Sequence, residues 1–401
     1  MELYYKAITR QGKILHGRVE AKDKNEAASY LRSHEIYPIN ISDESEQPFA
    51  NFNFFKPHTS TNDLIFFTRQ LSSMLISGLT LMQALSVMRN QIHNKALSEV
   101  LQGITPDIQN GNSFTHSLAK YPKVFSTIYV SSIKAGEKAG LLDKVLLRLA
   151  DNLEKSKELR DTIRGALIYP MIVSCVMLLV LVVMMVFVIP QLSNLYSGMN
   201  VQLPLITRLV IGTSKVFITG LPVIIILVFV GIYFFRRFYR KPQGRLIVDS
   251  LLLKIPLFGR LIEESTLVEF TRTFSLLIGT GSLVVESLHQ CAETVGNVVY
   301  RQAVNDIGNR VEQGVAIGDA FAANELFPSL LVETVKIGEQ TGKMDESLMR
   351  VSEYFEREVE QAVKALTTAI EPMIIVILGA FVGVLIVSII TPIYGLISSI
   401  H

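Results

Sequence analysis

The sequence predicts a mainly α-helical membrane protein that is built from an internal repeat. Residues 134–172 align without a gap with residues 336–374, so each residue of the first copy matches the one 202 positions later. Three stretches without Asp, Glu, Lys or Arg can each hold the ~20 apolar residues that span a bilayer. In addition, 49% of the residues are hydrophobic and the mean hydropathy is positive. We therefore expect a duplicated helical scaffold attached to the lipid bilayer.

The start of the chain predicts a small ββαβ module over residues 1–42. Two strand-like runs, residues 3–9 and 14–20, are followed by a helix with a D-x-x-E cap that begins at Asp23, and then by a returning strand. A module of this size buries little surface alone, which favours a docking unit. Residues 43–60 contain two prolines and show no helical periodicity, so they predict a linker.

After this linker, apolar residues recur at helical spacing, and glycines and prolines divide the helices. Within the first bundle the last two helices are expected at about 124–136 and 141–165. The predicted segments are a first helical bundle (61–166), a first transmembrane helix (167–190), an external loop (191–215), a second transmembrane helix (216–235), a basic connector (236–263), a second bundle (264–370) and a third transmembrane helix (371–398).

Basic residues predict the orientation of these segments. Four Lys or Arg lie within residues 155–164, before the first transmembrane helix, and five lie within 236–245, after the second. The loop between these helices carries only Arg208 and Lys215. By the positive-inside rule, both bundles and the N-terminus are cytoplasmic, and the C-terminus lies on the opposite side.

Two prolines and two glycines mark the transmembrane helices. Pro170 is expected in the first turn of the first transmembrane helix, where proline loses no hydrogen bond, and Pro372 takes the equivalent place in the third. Gly379 and Gly383 give a G-x-x-x-G spacing, which permits close approach of two helices. Packing within the chain and a seam between two copies would both use this spacing.

A polar turn with the pattern G-E-x-x-G-x-x-D occurs in both repeats. Its members are Gly136, Glu137, Gly140 and Asp143 in the first repeat, and Gly338, Glu339, Gly342 and Asp345 in the second. A glycine can supply the left-handed backbone that ends one helix, and the aspartate favours the dipole at the start of the next. The glutamate is not explained in this way, because a carboxylate is unfavourable near a helix C-terminus.

The unexplained glutamates therefore need a cationic partner or a functional role. Arg69 and Arg272 occupy equivalent positions in the first helix of each bundle. We predict that Glu137 pairs with Arg69 and Glu339 with Arg272, which would tie each turn to its own bundle. The alternative is that the glutamates contact a partner protein.

Several function classes lack support in the sequence. The string nearest to a phosphate-binding loop, GEQTGKM at residues 338–344, has the wrong spacing and no hydroxyl after its lysine. The histidines and cysteines do not occur at the spacings that metal ligands show, and no catalytic, cofactor or metal site is predicted. A net charge of +2 argues against nucleic acid as a partner. A transporter would need ionisable residues in its transmembrane helices, and a membrane enzyme a titratable cluster at the bilayer surface, whereas a scaffold needs only helical surfaces.

Further motifs connect the whole chain to a known family. They are YKAITRQGKILHGRVEA, FTRQLSSMLISGLTL, IYPMI, QLPLITR, KIPLFGRL, FTRTFSLLIGTG, and the closing EPMI and TPIY. With these motifs and the two G-E turns, the chain resembles the polytopic inner-membrane platform proteins of type IV pilus assembly and type II secretion (PilC/GspF-like). The GNVVY string at residues 296–300 and the EREVEQAV run are more similar to the pilus branch than to the secretion branch.

This resemblance implies a multi-pass protein of the bacterial inner membrane, with the external loop and the C-terminus in the periplasm. It implies a non-enzymatic, homo-oligomeric platform that couples a hexameric cytoplasmic assembly ATPase to the insertion of pilin or pseudopilin subunits. Other inner-membrane assembly proteins would be its neighbours. Composition and spacing alone predict no more than the duplicated scaffold with three transmembrane helices.

Overall fold

The computed structural model describes residues 2–9, 14–21, 23–34, 36–43, 59–191 and 205–399. By its contacts the chain divides into two units, Met1–His58 and Thr59–His401. Nearly all of the predicted linker (43–60) and about half of the predicted external loop (191–215) lie outside the described residues.

The N-terminal unit is an antiparallel sheet with one helix. Its elements are β1 (Glu2–Thr9), β2 (Ile14–Glu20), α1 (Lys24–Ser33) and β3 (Ile36–Asp43). The strands lie in the order β2-β1-β3, so the first strand is central. Asp23 caps α1 by accepting a hydrogen bond from the backbone N–H of Glu26 at 2.7 Å. Leu3, Val19 and Ala27 form the small core.

The second unit begins with a bundle of short helices. They are α2 (Thr61–Ile76), α3 (Leu81–Gln91), α4 (Lys95–Gln109), α5 (Phe114–Ala119) and α6 (Thr127–Ala139). Reciprocal capping boxes start α2 and α3, with Ser60 and Thr80 as the capping residues. The sequence placed α6 three residues too early at both ends, because Ser126 caps its start and Gly140 ends it.

Two long helices and a connector follow the first bundle. They are α7 (Leu142–Val183), which continues into a π-helical segment (Met184–Val188), α8 (Leu205–Tyr239) and α9 (Pro242–Lys254). The π-helical segment contacts α8, because the Ser214 hydroxyl donates to the Met185 carbonyl at 2.5 Å. A π-helix shifts the backbone hydrogen-bond register, and this contact supplies a partner for one of its carbonyls.

The second bundle reproduces the first, helix for helix. Its elements are α10 (Phe258–Gly279), α11 (Val284–Thr294), α12 (Val298–Glu312), α13 (Ile317–Ala322), α14 (Ser329–Thr341) and α15 (Met344–Ser399), which correspond in order to α2–α7. The packing is reproduced as well. The ring centroids of Phe67 and Phe125 lie 6.1 Å apart, and those of the equivalent Phe270 and Phe327 are also 6.1 Å apart.

The connector between the repeats is anchored to the second bundle by a buried carboxylate. Asp249 accepts hydrogen bonds from the Tyr239 hydroxyl at 3.0 Å and from the backbone N–H of Val298 at 2.9 Å. The Arg245 guanidinium donates to the Gly296 carbonyl at 2.9 Å. These contacts fix the end of α8 to the start of α12.

The helices α7 and α15 run from the bundles into apolar segments without a break. Among the described residues, Leu142–Gln191 and Met344–Val384 are long and apolar enough to cross a membrane. Almost none of the most apolar part of either segment is buried against other residues of the chain. This exposure is the opposite of what a soluble core helix requires.

The predicted position of the prolines within their helices is wrong. Pro170 lies in the interior of α7, and Pro372 lies in the interior of α15, so neither is in a first turn. The amphipathic run of each repeat continues into the apolar run within one helix, and Gly165, which lies between the two runs of the first repeat, does not end α7. An interior proline lacks the N–H that would bond to the carbonyl four residues earlier, which makes each helix easier to bend at that point.

Candidate functional site

Each Gly-Glu turn joins a short helix to one of the long helices. Gly140 and Gly342 have φ angles of 69° and 68°, the left-handed conformation that ends α6 and α14. The Gly136 carbonyl accepts from the backbone N–H of Leu141 at 2.9 Å, and the Gly338 carbonyl accepts from that of Lys343 at 3.1 Å. Both turns therefore have the same hydrogen-bonded geometry.

The other glycine of each turn allows the two helices to approach closely. A Cβ atom on Gly136 would lie 2.8 Å from Cγ2 of Val145, and one on Gly338 would lie 3.0 Å from Cα of Met344. Both distances are shorter than ordinary van der Waals contacts between carbon atoms. A larger residue at either position would push the short helix away from the long helix.

The Glu137 carboxylate binds the N-terminus of α5. Its two oxygens accept from the backbone N–H groups of Phe114 at 2.7 Å and Thr115 at 3.0 Å. The Thr115 hydroxyl adds a third hydrogen bond at 2.6 Å. These are among the N–H groups that have no partner within a helix, and they carry the positive end of the helix dipole.

Glu339 makes the equivalent contact in the second repeat. Its carboxylate accepts from the backbone N–H groups of Ile317 and Gly318, each at 2.9 Å, at the N-terminus of α13. The N-cap residue of α13 is Ala316, which has no side-chain hydrogen bond to offer. In α5 the N-cap residue is Ser113, whose hydroxyl accepts from the backbone N–H of His116. The α13 helix therefore depends more on its glutamate.

The predicted pairing of these glutamates with Arg69 and Arg272 is wrong. Arg69 contacts Glu154, with its Nε at 3.0 Å from the carboxylate, and also Asp151 at 2.7 Å. Arg272 contacts Glu356 at 2.9 Å. The partner of each arginine is therefore a glutamate within the long helix of its own repeat. These two glutamates, Glu154 and Glu356, occupy equivalent positions in the repeats. Backbone N–H groups replace the cation that we expected beside Glu137 and Glu339.

The two arginine pairs differ in their burial. The side chains of Arg272 and Glu356 are 4% and 16% exposed, whereas that of Arg69 is 30% exposed. Hydrogen bonding to Glu154 raises the pKa of Arg69, so this arginine stays charged. The same ion pair is therefore desolvated in the second repeat and open to water in the first.

The aspartates of the turns connect each long helix to the first helix of its bundle. The backbone carbonyl of Asp143 accepts from the Ser72 hydroxyl at 3.0 Å, and that of Asp345 accepts from the Ser275 hydroxyl at 2.7 Å. The Asp345 carboxylate has a further partner, because it lies 3.1 Å from Nη1 of Arg148 in the other repeat.

This ion pair lies at the contact between the two bundles. Leu276 of the second bundle is part of the buried core of the first, and Ile128 of the first bundle packs against both cores. Beside Arg148 and Asp345, a cavity of about 480 Å³ opens between α7 and α15. Charged side chains of both signs line this cavity, which suits a polar interface.

A cluster of carboxylates in the second bundle has no counterpart in the sequence predictions. The pKa of Glu264 is raised to about 7, mainly by burial and also by repulsion from Glu263 and Glu358, while Arg260 opposes the shift. Arg260 donates to Glu358 at 2.6 Å. Adjacent acidic residues at 263 and 264 were the only signal in the sequence, and they carried no indication of burial.

The last sequence predictions concern metal ligands and the glycine spacing of the third predicted transmembrane helix. Within the part of the chain that the structure describes, no cluster of three or more His, Cys, Asp or Glu could hold a metal ion. A Cβ atom on Gly379 or Gly383 would have no atom of the described chain within 4 Å. Packing within the described part of the chain therefore does not use the G-x-x-x-G spacing.

The fold and the two turns define a class of proteins: duplicated helical bundles in which the last helix of each bundle extends into a segment long and apolar enough to cross a membrane. The family model for type II secretion system protein F matches residues 67–190 and 270–392, once for each repeat. The N-terminal domain model of the same family matches residues 4–42. The chain belongs to the type II secretion system protein F family, which confirms the resemblance seen in the sequence.

Relatives from both branches of this family match the chain over nearly all of its length. The type IV pilus assembly protein PilC of Thermus thermophilus is 35% identical over 99% of this chain and 98% of its own. PilC of Pseudomonas aeruginosa is 31% identical over 92% of this chain and 98% of its own. The type II secretion system protein F of Aeromonas hydrophila is 28% identical over 94% and 98% of the two chains.

Proposed function

We propose that this protein is the inner-membrane platform of a type IV pilus assembly machinery. In this function it couples a hexameric cytoplasmic assembly ATPase to the insertion of pilin subunits into the filament. The observation that carries the proposal is the full-length similarity to type IV pilus assembly proteins, at 31% and 35% identity for the two named above. The alternative is a type II secretion platform acting on pseudopilins, for which the similarity named above is 28% identity.

The architecture supports a mechanical rather than a chemical role. The glutamates of the turns bind backbone N–H groups, and the arginines bind carboxylates, so these charged groups hold the bundles together. The sequence has no phosphate-binding loop, so the proposal assigns ATP hydrolysis to the partner ATPase. Continuous helices connect each bundle to the apolar segments, where pilin subunits would reside.

Deletion of the gene distinguishes the two candidate functions, pilus assembly and type II secretion. We expect the deletion strain to lose its surface filaments while pilin remains in the membrane, because subunits would be made but not assembled. Electron microscopy and an immunoblot of sheared filaments measure this result, and the gene supplied in trans is the control. Loss of secreted enzymes from the medium with filaments intact would instead assign the protein to type II secretion.

We further propose three transmembrane helices, at 167–190, 216–235 and 371–398, with the N-terminus in the cytoplasm and the C-terminus in the periplasm. The basic residues beside the first two helices support this orientation. The proposal also makes the G-x-x-x-G spacing of the third helix a surface within the bilayer that is open to another helix.

A reporter fused after His401 tests the orientation. Alkaline phosphatase at this position is expected to be active, because it folds in the periplasm, while green fluorescent protein is expected to be dark. The same reporters fused after residue 254, which follows the second transmembrane helix, provide the matched control and should give the opposite pattern. A C-terminal fusion that fluoresces would contradict the proposed orientation of the third helix.

A further inference from the structure

The two bundles contact each other through two different faces. We call the side of α6 and α7 that carries Ile128 and Arg148 the front face of the first bundle. It lies on the side of α10 and α15 that carries Leu276, Gly279 and Asp345, which we call the back face of the second bundle. Because the contact joins a front face to a back face, it leaves one face of each kind uncovered.

The uncovered faces follow from the repeat. The front face of the second bundle carries Leu330 and Arg350, the equivalents of Ile128 and Arg148. Leu330, Ile337 and Tyr354 are all more than two-fifths exposed there and line a shallow groove with Arg350. Arg350 also lines the cavity beside Arg148 and Asp345, so it lies at the edge of the front face. Such a cluster of exposed large apolar side chains on the polar part of a protein marks an interaction surface.

The back face of the first bundle is also uncovered. It carries Ile76 and Asp143, the equivalents of Gly279 and Asp345. Ile76 is more than half exposed, and Phe66 on the same helix is also exposed. Arg69 belongs to this face as well, which explains why its ion pair is open to water, whereas the equivalent Arg272 lies beside the contact between the bundles.

The charges on the two uncovered faces are complementary. In the covered contact, Arg148 of a front face meets Asp345 of a back face. Arg350 and Asp143 are the equivalent cation and anion of the uncovered faces. Among the described residues, neither the Arg350 guanidinium nor the Asp143 carboxylate has a hydrogen bond or an ion pair.

We propose that the front face of the second bundle binds the back face of the first bundle in a second copy of this chain, with Arg350 facing Asp143 of that copy. This contact repeats, between chains, the arrangement that already exists within the chain. If each of two copies binds the other through this contact, their four bundles form a closed ring. A different angle between neighbouring copies would give a ring of more copies. The contact is independent of the machinery in which the protein works.

The second contact is similar to the first but cannot be its replica. A Cβ atom at Gly279 would lie 1.8 Å from Nη1 of Arg148, so glycine is needed for the arginine to lie there. Ile76 stands at the equivalent position of the first bundle. Arg350 must therefore reach Asp143 around the isoleucine side chain, which in turn offers an apolar surface to Leu330 and Ile337.

Cross-linking in native membranes tests the proposed contact. One tagged chain carries Asp143→Cys and a second, differently tagged chain carries Arg350→Cys, both with Cys175→Ser, while Cys291 is left in place because it is buried. A short bifunctional maleimide is used, since an arginine–aspartate pair holds its Cβ atoms too far apart for a disulfide. We expect a product that contains both tags.

The covered contact supplies the control. A chain with Arg148→Cys and Asp345→Cys is expected to cross-link within itself and to run as a monomer. If this control reacts and the mixed chains give no doubly tagged product, the proposal is wrong. A product that joins Arg350→Cys to a different protein would assign the front face to another partner and would also overturn it.

Charge reversal gives an independent measurement on the purified full-length protein. We expect Arg350→Asp and Asp143→Arg each to weaken self-association tenfold or more, because like charges then face each other, and the double variant to recover most of the loss. Sedimentation in detergent measures the association, and thermal unfolding shows that each variant is folded. A double variant no better than the single variants would contradict the pairing.

Discussion

Arg272→Ala is expected to lower the free energy of unfolding of the second bundle by about 3–5 kcal/mol, because it leaves the carboxylate of Glu356, which is only 16% exposed, without a cation. The equivalent Arg69→Ala is expected to cost only about 0–1 kcal/mol, since Asp151 and Glu154 can then be solvated. Chemical unfolding of the purified protein in detergent measures both values. The repeat thus provides a matched pair of variants within one chain.

Replacement of both partners distinguishes the loss of a pair from a buried, unpaired charge. A chain with Arg272→Met and Glu356→Leu is expected to be more stable than Arg272→Ala, because apolar residues of similar volume can replace a buried ion pair at little cost. Equal losses for Arg69→Ala and Arg272→Ala would contradict the difference in burial on which this prediction depends.

Glu339→Ala is expected to lower the free energy of unfolding by about 2–3 kcal/mol, because it removes two charge-assisted hydrogen bonds from the N-terminus of α13. Glu339→Gln should lose about half as much, since an amide offers one acceptor oxygen in place of two. Glu137→Ala should cost less than Glu339→Ala, because Ser113 still caps α5. Chemical unfolding in detergent again measures these values.

An exposed glutamate on the same helix supplies the control for this series. Glu333 lies on α14 and is exposed, so Glu333→Ala should change the stability by no more than about 0.5 kcal/mol. If Glu339→Ala stopped filament assembly while the unfolding free energy stayed the same, the glutamate would be a partner contact, as the sequence left open.

The repeat and the glycines of its turns could be predicted from the sequence, because both depend on local chemistry. Gly140 and Gly342 are left-handed, a conformation that glycine adopts at little cost and that ends a helix. The helical spacing of apolar residues likewise predicted a buried face in both bundles, and Phe67 and Phe270 lie on that face.

The partners of Glu137 and Glu339 could not be predicted, because backbone N–H groups leave no trace in residue identity. Each glutamate binds a helix N-terminus that lies about twenty residues earlier in the chain. The correct partners of the arginines did have a signal, since Glu154 and Glu356 are identical across the repeat. The sequence nevertheless favoured Glu137 and Glu339 as partners of the arginines, because a carboxylate near a helix C-terminus is unfavourable without a cation.

The different surroundings of equivalent residues were also beyond prediction. Arg69 and Arg272 occupy the same position in the repeat, but only Arg272 is buried, because the contact between the bundles lies beside the back face of the second bundle and leaves that of the first uncovered. A sequence repeat states which residues correspond, whereas burial depends on how the copies pack. The carboxylates around Glu264 were missed for the same reason.

The helix α7 is long enough to convert a small rotation of the first bundle into a large displacement at its far end. Its 42 residues extend over about 63 Å at ~1.5 Å per residue, so a tilt of only about 5° in the first bundle would displace the far end by about 5 Å. This displacement would be largest if α7 stayed straight. The helix bends most easily at Pro170, which lacks one backbone hydrogen bond. We therefore expect the stiffness of the helix at Pro170 to determine how much of a movement of the first bundle reaches the end of the apolar segment.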